Sequence, residues 1–282
     1  MMKLYSQKTI KQIIDAFGFQ FSKSLGQNFL TDYNIVRKIV EVADIENKYV
    51  LEIGPGIGTL TDEIRKSAKK VVSVEIDNDL IPILFSNFSG IENVKIIHKD
   101  FLKINLEKLC NDEFSGEKFS VVSNLPYNIT SPVIEKLLKS NTKIEKMTLM
   151  VQKEMAMRML AKVNEKNYSS LSLLVCFYSK AEMKFKVPNT VFIPKPKVDS
   201  AVVTMIPELY DETVNRNLLN DLIRAAFNKR RKTILNSLSD IEEKENLKEI
   251  FKSLNLNENL RSENLNIDDY INLANEIEKK RQ

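Results

Sequence analysis

Short apolar runs alternate with amphipathic segments through the middle of the chain. Each run spans four or five residues rich in Val, Ile and Leu, and the segments between the runs place apolar residues at helical spacing. Strands that alternate with helices predict a parallel sheet with helices on both faces. The predicted strands are residues 49–53, 71–75, 94–97, 119–123 and 147–151.

The pattern differs on either side of this region. Residues 6–17 and 32–43 each carry one apolar helical face, so we expect two amphipathic helices before the first strand, the second capped by Thr31 or Asp32. After Tyr168, further strands are predicted at residues 171–178, 183–187 and 198–206. Late antiparallel strands at the edge of a parallel sheet fit this order.

The last quarter of the chain has a different character. From about Asp211 the sequence is polar with helical spacing, and residues 228–236 also fit a helix with Ile234 and Leu235 turned inward. A boundary is therefore predicted near residues 209–212. We expect two domains, residues 1–209 and residues 210–282.

Composition and charge narrow the class of protein without identifying it. The 282 residues are 43% hydrophobic and 28% charged, and the formal net charge of +4 permits a nucleic-acid partner without requiring one. Cys110 and Cys176 lack metal-type spacing, and there is no secretory signal or membrane-spanning run, so we expect a cytoplasmic protein. With His98 as its one histidine, the sequence favours neither a histidine base nor a metal site.

A glycine-rich turn follows the first predicted strand of the alternating region. In Gly54-Pro55-Gly56-Ile57-Gly58 the spacing is GxGxG, and Thr59 occupies the third glycine position of the dinucleotide fingerprint. Such a turn lets the backbone approach a nucleotide-like ligand, and this spacing suits S-adenosylmethionine better than NAD. A tight turn without a ligand is the alternative.

Acidic residues follow the next two predicted strands. Glu75 lies about twenty residues after the first glycine, where a carboxylate can accept hydrogen bonds from ribose hydroxyls, and Asp77 is a nearby alternative. Asp100 could accept from an adenine amine, with Phe101 against the ring. Each residue alone is typical of a solvated loop, but together with the glycine turn they indicate a nucleoside site.

The most specific local motif is Asn124-Leu125-Pro126-Tyr127, at the end of the fourth predicted strand. The exocyclic amine of adenine is a poor nucleophile because its lone pair is delocalised into the ring. The Asn124 side-chain carbonyl and the Leu125 backbone carbonyl can accept its hydrogens and localise that lone pair, while Pro126 fixes the turn and Tyr127 stacks on the base. Catalysis by orientation and electrostatics then needs no strong base.

These segments together resemble the ribosomal RNA adenine N6-dimethyltransferase family, in its small-subunit, kasugamycin-sensitivity branch. The matching segments run in order along nearly the whole chain: LGQNFL at 25–30, LEIGPGIG at 51–58, VEID at 74–77, DF at 100–101, NLPYNI at 124–129, VFIPKPKVDSAV at 191–202 and AFNKRRKT at 226–233. The resemblance implies a class I, Rossmann-like α/β fold with a seven-stranded sheet and a small all-helical C-terminal domain.

The resemblance also implies site residues and a reaction. Tyr127 and Phe192 would sandwich the target adenine. The reaction would be dimethylation of two adjacent adenines in a hairpin loop near the 3′ end of small-subunit RNA, with S-adenosylmethionine as methyl donor. The implied cofactor contacts are Asn28, Leu30, Gly54, Glu75, Asp100 and Asn124.

The expected partners follow from this reaction. They are small-subunit ribosomal RNA and the immature small subunit, bound by a monomer without membrane association. A loop target is favourable because unstacked bases are easier to extrude. The candidate RNA contacts are Lys195, Lys197, Lys229, Arg230, Arg231 and Lys232, although the last four also fit a solvated helix face.

Several alternatives remain at this point. The sister branch, which methylates one adenine of large-subunit RNA, shares the glycine turn, but residues 192–202 and 226–233 favour the small-subunit branch. A DNA adenine methyltransferase would need a larger recognition domain than the tail after Asp211. A NAD-dependent oxidoreductase predicts a glycine where Thr59 stands. A binding module without catalysis is a further alternative, as a second role.

Overall fold

The computed structural model describes residues 3–22, 25–229 and 231–281. The chain divides into two compact units. The first, here called the α/β unit, is Met1–Ala156 with Ala181–Pro207, and the second, the helical unit, is Met157–Lys180 with Glu208–Gln282.

A seven-stranded sheet forms the centre of the fold, as predicted. Its order is β4-β3-β2-β5-β6-β9-β7; the first five of these strands are parallel, and β9 is antiparallel to β6. A separate two-stranded ladder pairs β1 with β8. The strands are β1 Phe29–Leu30, β2 Tyr49–Ile53, β3 Lys70–Glu75, β4 Val94–His98, β5 Phe119–Asn124, β6 Ile144–Gln152, β7 Ser179–Val187, β8 Phe192–Ile193 and β9 Ser200–Pro207.

Helices precede and connect the strands. The two N-terminal amphipathic helices are confirmed, and Asp32 caps the second by accepting from the backbone N–H groups of Asn34 and Ile35. The first seven helices are α1 Gln7–Phe17, α2 Tyr33–Ala43, α3 Thr59–Ile64, α4 Leu80–Phe88, α5 Leu106–Phe114, α6 Thr130–Leu138 and α7 Lys153–Met159. The others are α8 Ser170–Tyr178, α9 Arg216–Asn228, α10 Ile234–Leu238, α11 Lys244–Ser253 and α12 Ile267–Arg281.

Two apolar clusters hold the α/β unit together. In one, Ile39 of α2 packs with Val122 of β5 and other strand residues. In the other, Ile13 of α1 packs with Leu84 of α4. Burying these side chains provides the main favourable free energy for docking the helices and leaves the loops at the strand ends free to form a site.

The predicted strand at residues 171–178 is wrong, because this segment is the helix α8. A run of eight residues that is apolar except for Ser172 fits a buried strand or a buried helix equally well. Seven of the nine α8 residues are buried, and a capping box between Ser169 and Ser172 begins the helix. The sequence pattern assigns residues 157–180 to the first domain, whereas the structure groups them with the C-terminal helices.

The predicted helix over residues 228–236 is also wrong. α9 ends at Asn228, and α10 begins only at Ile234, where the Thr233 side chain caps it by accepting from Asn236 N–H. A threonine cap has extended backbone dihedrals, so it interrupts the helical path. Ile234 and Leu235 are buried as predicted.

Two features are absent from residues 3–22, 25–229 and 231–281. No helix there combines the length and apolar character needed to cross a bilayer. No group of three or more His, Cys, Asp or Glu side chains in those ranges could hold a metal ion.

Candidate active site

A cavity opens beyond the carboxyl ends of the parallel strands, where the strand order reverses. The chain moves outward from β2 through β3 to β4 and then returns to β5 on the other side of β2. The loops that leave β2 and β5 therefore diverge, and open α/β sheets bind ligands in the crevice between such loops. Five segments of the α/β unit line most of it: residues 25–30, 52–57, 74–76, 99–102 and 124–129.

The glycine turn after β2 serves both the fold and the cavity. Gly54 has a φ of 65°, and a Cβ atom there would lie 3.0 Å from Cγ of Pro126. Glycine therefore lets the turn after β2 approach the turn after β5. Gly58 has a φ of 91°, and a Cβ atom there would come within 2.3 Å of the Phe88 ring. The last glycine is thus required for packing against α4, while the first joins two walls of the cavity.

Glu75, at the end of β3, is better placed for a ligand than Asp77. Glu75 lines the cavity, and its Oε1 accepts from the N–H groups of Ile76 and Asp77 at 2.8 and 3.0 Å. Its Oε2 lies 3.4 Å from Gly56 N–H and retains lone pairs for hydroxyl donors. Both oxygens of Asp77 are engaged, one by the side-chain amide of Gln27. Burial raises the pKa of the Glu75 carboxyl, and the three N–H donors oppose that shift.

Asp100 begins the 3₁₀ turn Phe101–Lys103 that follows β4. Its Oδ1 accepts from Leu102 N–H at 2.9 Å and so caps the turn. Its Oδ2 lies 3.8 Å from Lys103 Nζ, and because the Lys103 side chain is 80% exposed this ion pair is weak. Oδ2 is therefore available as an acceptor. Phe101 is buried and also lines the cavity, so the turn offers a carboxylate oxygen beside an aromatic ring.

The turn after β5 carries two carbonyl oxygens that receive no hydrogen bond from any described residue. Asn124 Nδ2 donates to the backbone carbonyl of Asn28 at 3.1 Å, which fixes the amide and leaves its Oδ1 without a donor. Leu125 N–H donates to the Met150 carbonyl at 3.0 Å, and the Leu125 carbonyl also lacks a donor. Both residues line the cavity. The turn therefore presents two neutral acceptors to whatever enters.

Tyr127 is held in place by the first residue of β9. Its hydroxyl and the Ser200 Oγ lie 2.7 Å apart, and Ser200 is fully buried. Burial raises the pKa of the Tyr127 phenol, while the hydrogen bond with Ser200 lowers it to a smaller extent. The neutral ring lines the cavity with its outer end fixed, as a stacking surface for an aromatic ligand requires.

The loop before β1 forms another wall of the cavity. The Asn28 carbonyl accepts from Asn124, and the Asn28 side chain donates to the Gly26 carbonyl at 2.9 Å. Gln27 reaches from the same loop to Asp77 after β3. The predicted cofactor residue Asn28 is therefore tied to the turn after β5, and its neighbour Gln27 to the turn after β3.

Phe192 lies close to the cavity wall but outside its lining. β1 and β8 pair antiparallel, with Leu30 opposite Phe192. Leu30 lines the cavity as expected, whereas Phe192 is 2% exposed within the apolar cluster that contains Val36 and Val202. In this structure Phe192 is a core residue, and the sandwich of Tyr127 and Phe192 around a base stays a prediction.

Sequence reasoning missed the role of Glu52, which is buried in the middle of β2. Its Oε2 accepts from the Thr61 hydroxyl at 2.6 Å and from the Ser73 hydroxyl at 2.7 Å. Burial raises the pKa of Glu52 to about 7; the two hydroxyl donors oppose this shift, and the nearby charge of Glu75 adds to it. An acid within the apolar run Tyr-Val-Leu-Glu-Ile is the signal that could have revealed this residue.

Two of the predicted RNA contacts lie between β8 and β9 of the α/β unit. Lys195 and Lys197 are exposed. Asn189 holds this segment by donating its side-chain amide to the Pro196 carbonyl at 3.2 Å and its N–H to the Asp199 carboxylate at 3.0 Å. The two lysines therefore extend from an anchored loop.

The other predicted RNA contacts belong to the helical unit, between α9 and α10. Lys229 pairs with Asp240, which reduces the charge that it can offer a phosphate. Arg231 and Lys232 are exposed. Arg230 lies outside the described residues.

A family model and curated relatives match nearly the whole chain. A family model described as ribosomal RNA adenine dimethylase matches residues 18–279. Proteins of Alkaliphilus metalliredigens and Alkaliphilus oremlandii, both named ribosomal RNA small subunit methyltransferase A, are 43% and 44% identical to the chain. The alignments cover 98% and 99% of this chain, and 99% and 100% of those proteins.

Solved structures share the fold. A dimethyladenosine transferase from Plasmodium falciparum is 31% identical, with a TM-score of 0.76 over 90% of this chain and 98% of that chain. The 23S rRNA methyltransferase ErmE is 25% identical, with a TM-score of 0.65 over 89% of this chain and 99% of that chain.

Sequence, fold and relatives agree. The seven-stranded sheet, the glycine turn at the point where the strand order reverses and the Asn124–Tyr127 turn beside it are confirmed as neighbours around one cavity. The resemblance stated from the sequence is confirmed by a family model that covers most of the chain. The chain belongs to the ribosomal RNA adenine dimethylase family of S-adenosylmethionine-dependent methyltransferases.

Proposed function

We propose that this enzyme dimethylates the N6 amines of two adjacent adenines in a hairpin loop near the 3′ end of 16S-type, small-subunit ribosomal RNA. The observation that carries the proposal is the pair of carbonyl oxygens at Asn124 and Leu125 without donors among the described residues. They lie beside the glycine turn, since Pro126 packs on Gly54. The amine to be methylated and the methyl donor would therefore meet between these two turns.

The acceptors explain how the chain can act without a histidine base. The adenine amine has two hydrogens and a lone pair delocalised into the ring. If Asn124 Oδ1 and the Leu125 carbonyl accept those hydrogens, the nitrogen becomes pyramidal and its lone pair points away from them. Both acceptors are fixed before the substrate arrives, so little reorganisation is needed in the transition state. Asn124 would also contact the cofactor, as the family resemblance implies.

The remaining polar groups fit a nucleoside cofactor. S-adenosylmethionine supplies an electrophilic methyl group bound to its sulfonium. Glu75 Oε2 would accept from the ribose hydroxyls, and Asp100 Oδ2 from the cofactor's adenine amine. The backbone around Asn28, Leu30 and Gly54 would lie against the rest of the molecule. This fit rests on Glu75 Oε2 and Asp100 Oδ2, which still have lone pairs available, since the only ion pair shown for them among the described residues, that of Asp100 with the exposed Lys103 at 3.8 Å, is weak.

The target base needs an aromatic surface. Tyr127 lines the cavity and is anchored by Ser200, so we propose that the extruded adenine stacks on its ring. Phe192 is the proposed second ring, and this role requires its side chain to leave the apolar cluster when RNA binds. Small-subunit RNA fits the names of relatives above 40% identity, whereas the 23S-directed ErmE is 25% identical.

The basic side chains complete the proposed RNA interface. Phosphate contacts would make binding sensitive to salt, with a smaller share from Lys229 because of its partner Asp240. We propose that the enzyme acts as a cytoplasmic monomer on an immature small subunit. The proposed contacts are Lys195, Lys197, Lys229, Arg230, Arg231 and Lys232.

The test is methyl transfer from labelled S-adenosylmethionine to small subunits from a strain that lacks this modification, with large subunits as a control. Mass spectrometry of the digested RNA should find N6,N6-dimethyladenosine at two adjacent positions in the small subunit. Asn124→Ala should lower the rate of labelling about 10³-fold. Label in large-subunit RNA, or monomethylation at one position only, would refute the proposal.

A further inference from the structure

Lys136 of α6 makes an arrangement that no described function explains. Its Nζ donates to the backbone carbonyls of Leu102 and Ile104 at 2.7 and 2.6 Å. It also lies 5.5 Å from the centre of the Phe101 ring. Burial lowers the pKa of Lys136, and the nearby charge of Asp100 partly offsets this. A half-buried ammonium group loses part of its hydration. For Lys136 the hydrogen bonds to the two neutral carbonyls replace that hydration, so these carbonyls determine its position.

The carbonyls belong to the turn that carries Asp100 and Phe101. Carbonyls at the end of such a turn have no partner within it, and a cation is a strong donor to them. Asp100 closes the start of the turn through Leu102 N–H, and Lys136 closes its end. The turn is therefore fixed at both ends, and one of the two fixing groups comes from a helix 32 to 34 residues away in sequence.

The helix α6 is also attached to the turn after β5. The Thr130 hydroxyl, in the first residue of α6, donates to the Pro126 carbonyl at 3.0 Å and lies 3.4 Å from the Tyr127 carbonyl. One helix therefore contacts the turn after β5, Asn124–Tyr127, here called the acceptor turn, at its start, and it contacts the turn of Asp100 through Lys136. Its length sets the separation of these two cavity walls.

We infer that Lys136 is a positioning residue that preorganises the cofactor's adenine pocket. It does so by holding Asp100 and Phe101 at a fixed position relative to the acceptor turn. The inference rests on the proposed placement of the cofactor adenine at Asp100. A preorganised pocket binds more tightly because less ordering is needed on binding. Loss of Lys136 should therefore weaken binding of adenine-containing cofactors and leave the acceptor turn in place.

The experiment measures S-adenosylhomocysteine binding by calorimetry and steady-state methyl transfer in the full-length enzyme. K136M should raise the Kd for S-adenosylhomocysteine, and the KM for S-adenosylmethionine, by about tenfold, while kcat at saturation changes by less than about threefold. K136R, which keeps charge and donors, should restore the Kd to within about threefold of wild type. K139M is the matched control, since Lys139 caps the same helix and pairs with Glu135, and its Kd should equal that of wild type.

Other outcomes would overturn the inference. A lower melting temperature with unchanged Kd would make Lys136 merely structural, and a lower kcat with unchanged KM would place its effect at the acceptor turn. If K136M does not fold, K136Q replaces it: loss of the charged donor should still raise the Kd, although less than K136M because the amide can donate, and an unchanged Kd would overturn the inference. D100N, measured in parallel, distinguishes a failure of the inference about Lys136 from a failure of the proposed adenine placement at Asp100. Weaker binding in D100N but not in K136M overturns the inference about Lys136 alone. Unchanged binding in D100N overturns the adenine placement and this inference together, and neither result depends on which RNA is methylated.

Discussion

The two sides of the cavity offer hydrogen-bond acceptors of opposite kinds. On one side, here called the carboxylate side, Glu75 and Asp100 are acids that already accept backbone N–H groups, and Glu75 Oε2 and Asp100 Oδ2 retain lone pairs for a ligand. On the other, the carbonyl side, Asn124 and Leu125 present neutral oxygens without donors among the described residues. The first side is charged and partly satisfied, while the second is neutral and unsatisfied.

This difference corresponds to two different tasks. A carboxylate binds the hydroxyl and amine groups of a cofactor strongly in its ground state, because hydrogen bonds to a charged acceptor are strong. Neutral carbonyls bind an amine less tightly, but they select the geometry in which its lone pair is free to react. Since only interactions that strengthen in the transition state accelerate a reaction, the carboxylate side should control affinity and the carbonyl side should control rate.

The largest expected effect is that of Asn124→Ala on the rate. Removing one preplaced electrostatic group of this kind costs about 10³-fold in kcat, or about 4 kcal/mol. The Kd for S-adenosylhomocysteine should change by less than about fivefold, because the carboxylate side is intact. Single-turnover methyl transfer and calorimetric titration measure the two quantities separately.

Asn93→Ala is the matched control for this variant. Asn93 is likewise half-buried and donates its amide to the backbone carbonyls of Arg65 and Ala68, but it does not line the cavity. Its kcat should stay within about twofold of wild type, as is usual for substitutions remote from a site. Equal losses of rate in both variants would show that Asn124 acts only through the fold.

The second effect is on the free energy of unfolding, and it comes from Glu52, the acid buried in β2. Because the pKa of Glu52 is raised from 4.5 to about 7, the folded state binds more protons than the unfolded state between these values. The free energy of unfolding of the wild type should therefore fall as pH rises through that window, by about 3 kcal/mol at 1.36 kcal/mol per pKa unit. In Glu52→Gln the Glu52 contribution to this slope should disappear, while any contribution from Glu75, whose pKa is also raised, remains. In urea unfolding, the free energy of unfolding of the variant should therefore rise relative to that of the wild type between pH 5 and pH 8.

Glu113→Gln is the control for the sign of this effect. Burial tends to raise the pKa of Glu113, but hydrogen bonds from Lys95 and Lys70 outweigh it and lower the pKa below its ordinary value. The stability from that shift is complete above the unfolded pKa and is lost only at lower pH. The difference between Glu113→Gln and wild type should therefore be constant from pH 5 to pH 8. A parallel drift in both variants would rule out Glu52 as the source of the slope.

The sequence predicts the parts of this site that depend on local pattern. The strand and helix alternation, the glycine spacing and the Asn124 turn each lie within a few consecutive residues, and the strand order brings them together. Glu75 and Asp100 could be proposed because the carboxyl ends of neighbouring parallel strands share one edge of the sheet.

The other parts depend on contacts that no local pattern encodes. Lys136 is an ordinary helix lysine until the structure places it against carbonyls far away in sequence. Phe192 precedes a proline-containing loop, where an aromatic residue is more often core than catalytic, and the pairing of β8 with β1 and its apolar cluster place its ring in the core. The run Leu171–Tyr178 is ambiguous because seven of the nine residues of α8 are buried, so the helix has no polar face that reveals its period.

The smallest effect considered is that of Glu75→Gln, and it should mirror that of Asn124→Ala. The variant keeps the shape of the side chain but loses the charge, so the Kd for S-adenosylhomocysteine should rise about tenfold, or about 1.4 kcal/mol. At saturating S-adenosylmethionine, kcat should change by less than about threefold, and Glu113→Gln should alter neither constant. The pair of variants decides whether the two sides have separate tasks. If Glu75→Gln lowers kcat and leaves the Kd unchanged, the charge of Glu75 acts on the reacting groups, and the division of the cavity into a binding side and an activating side is wrong.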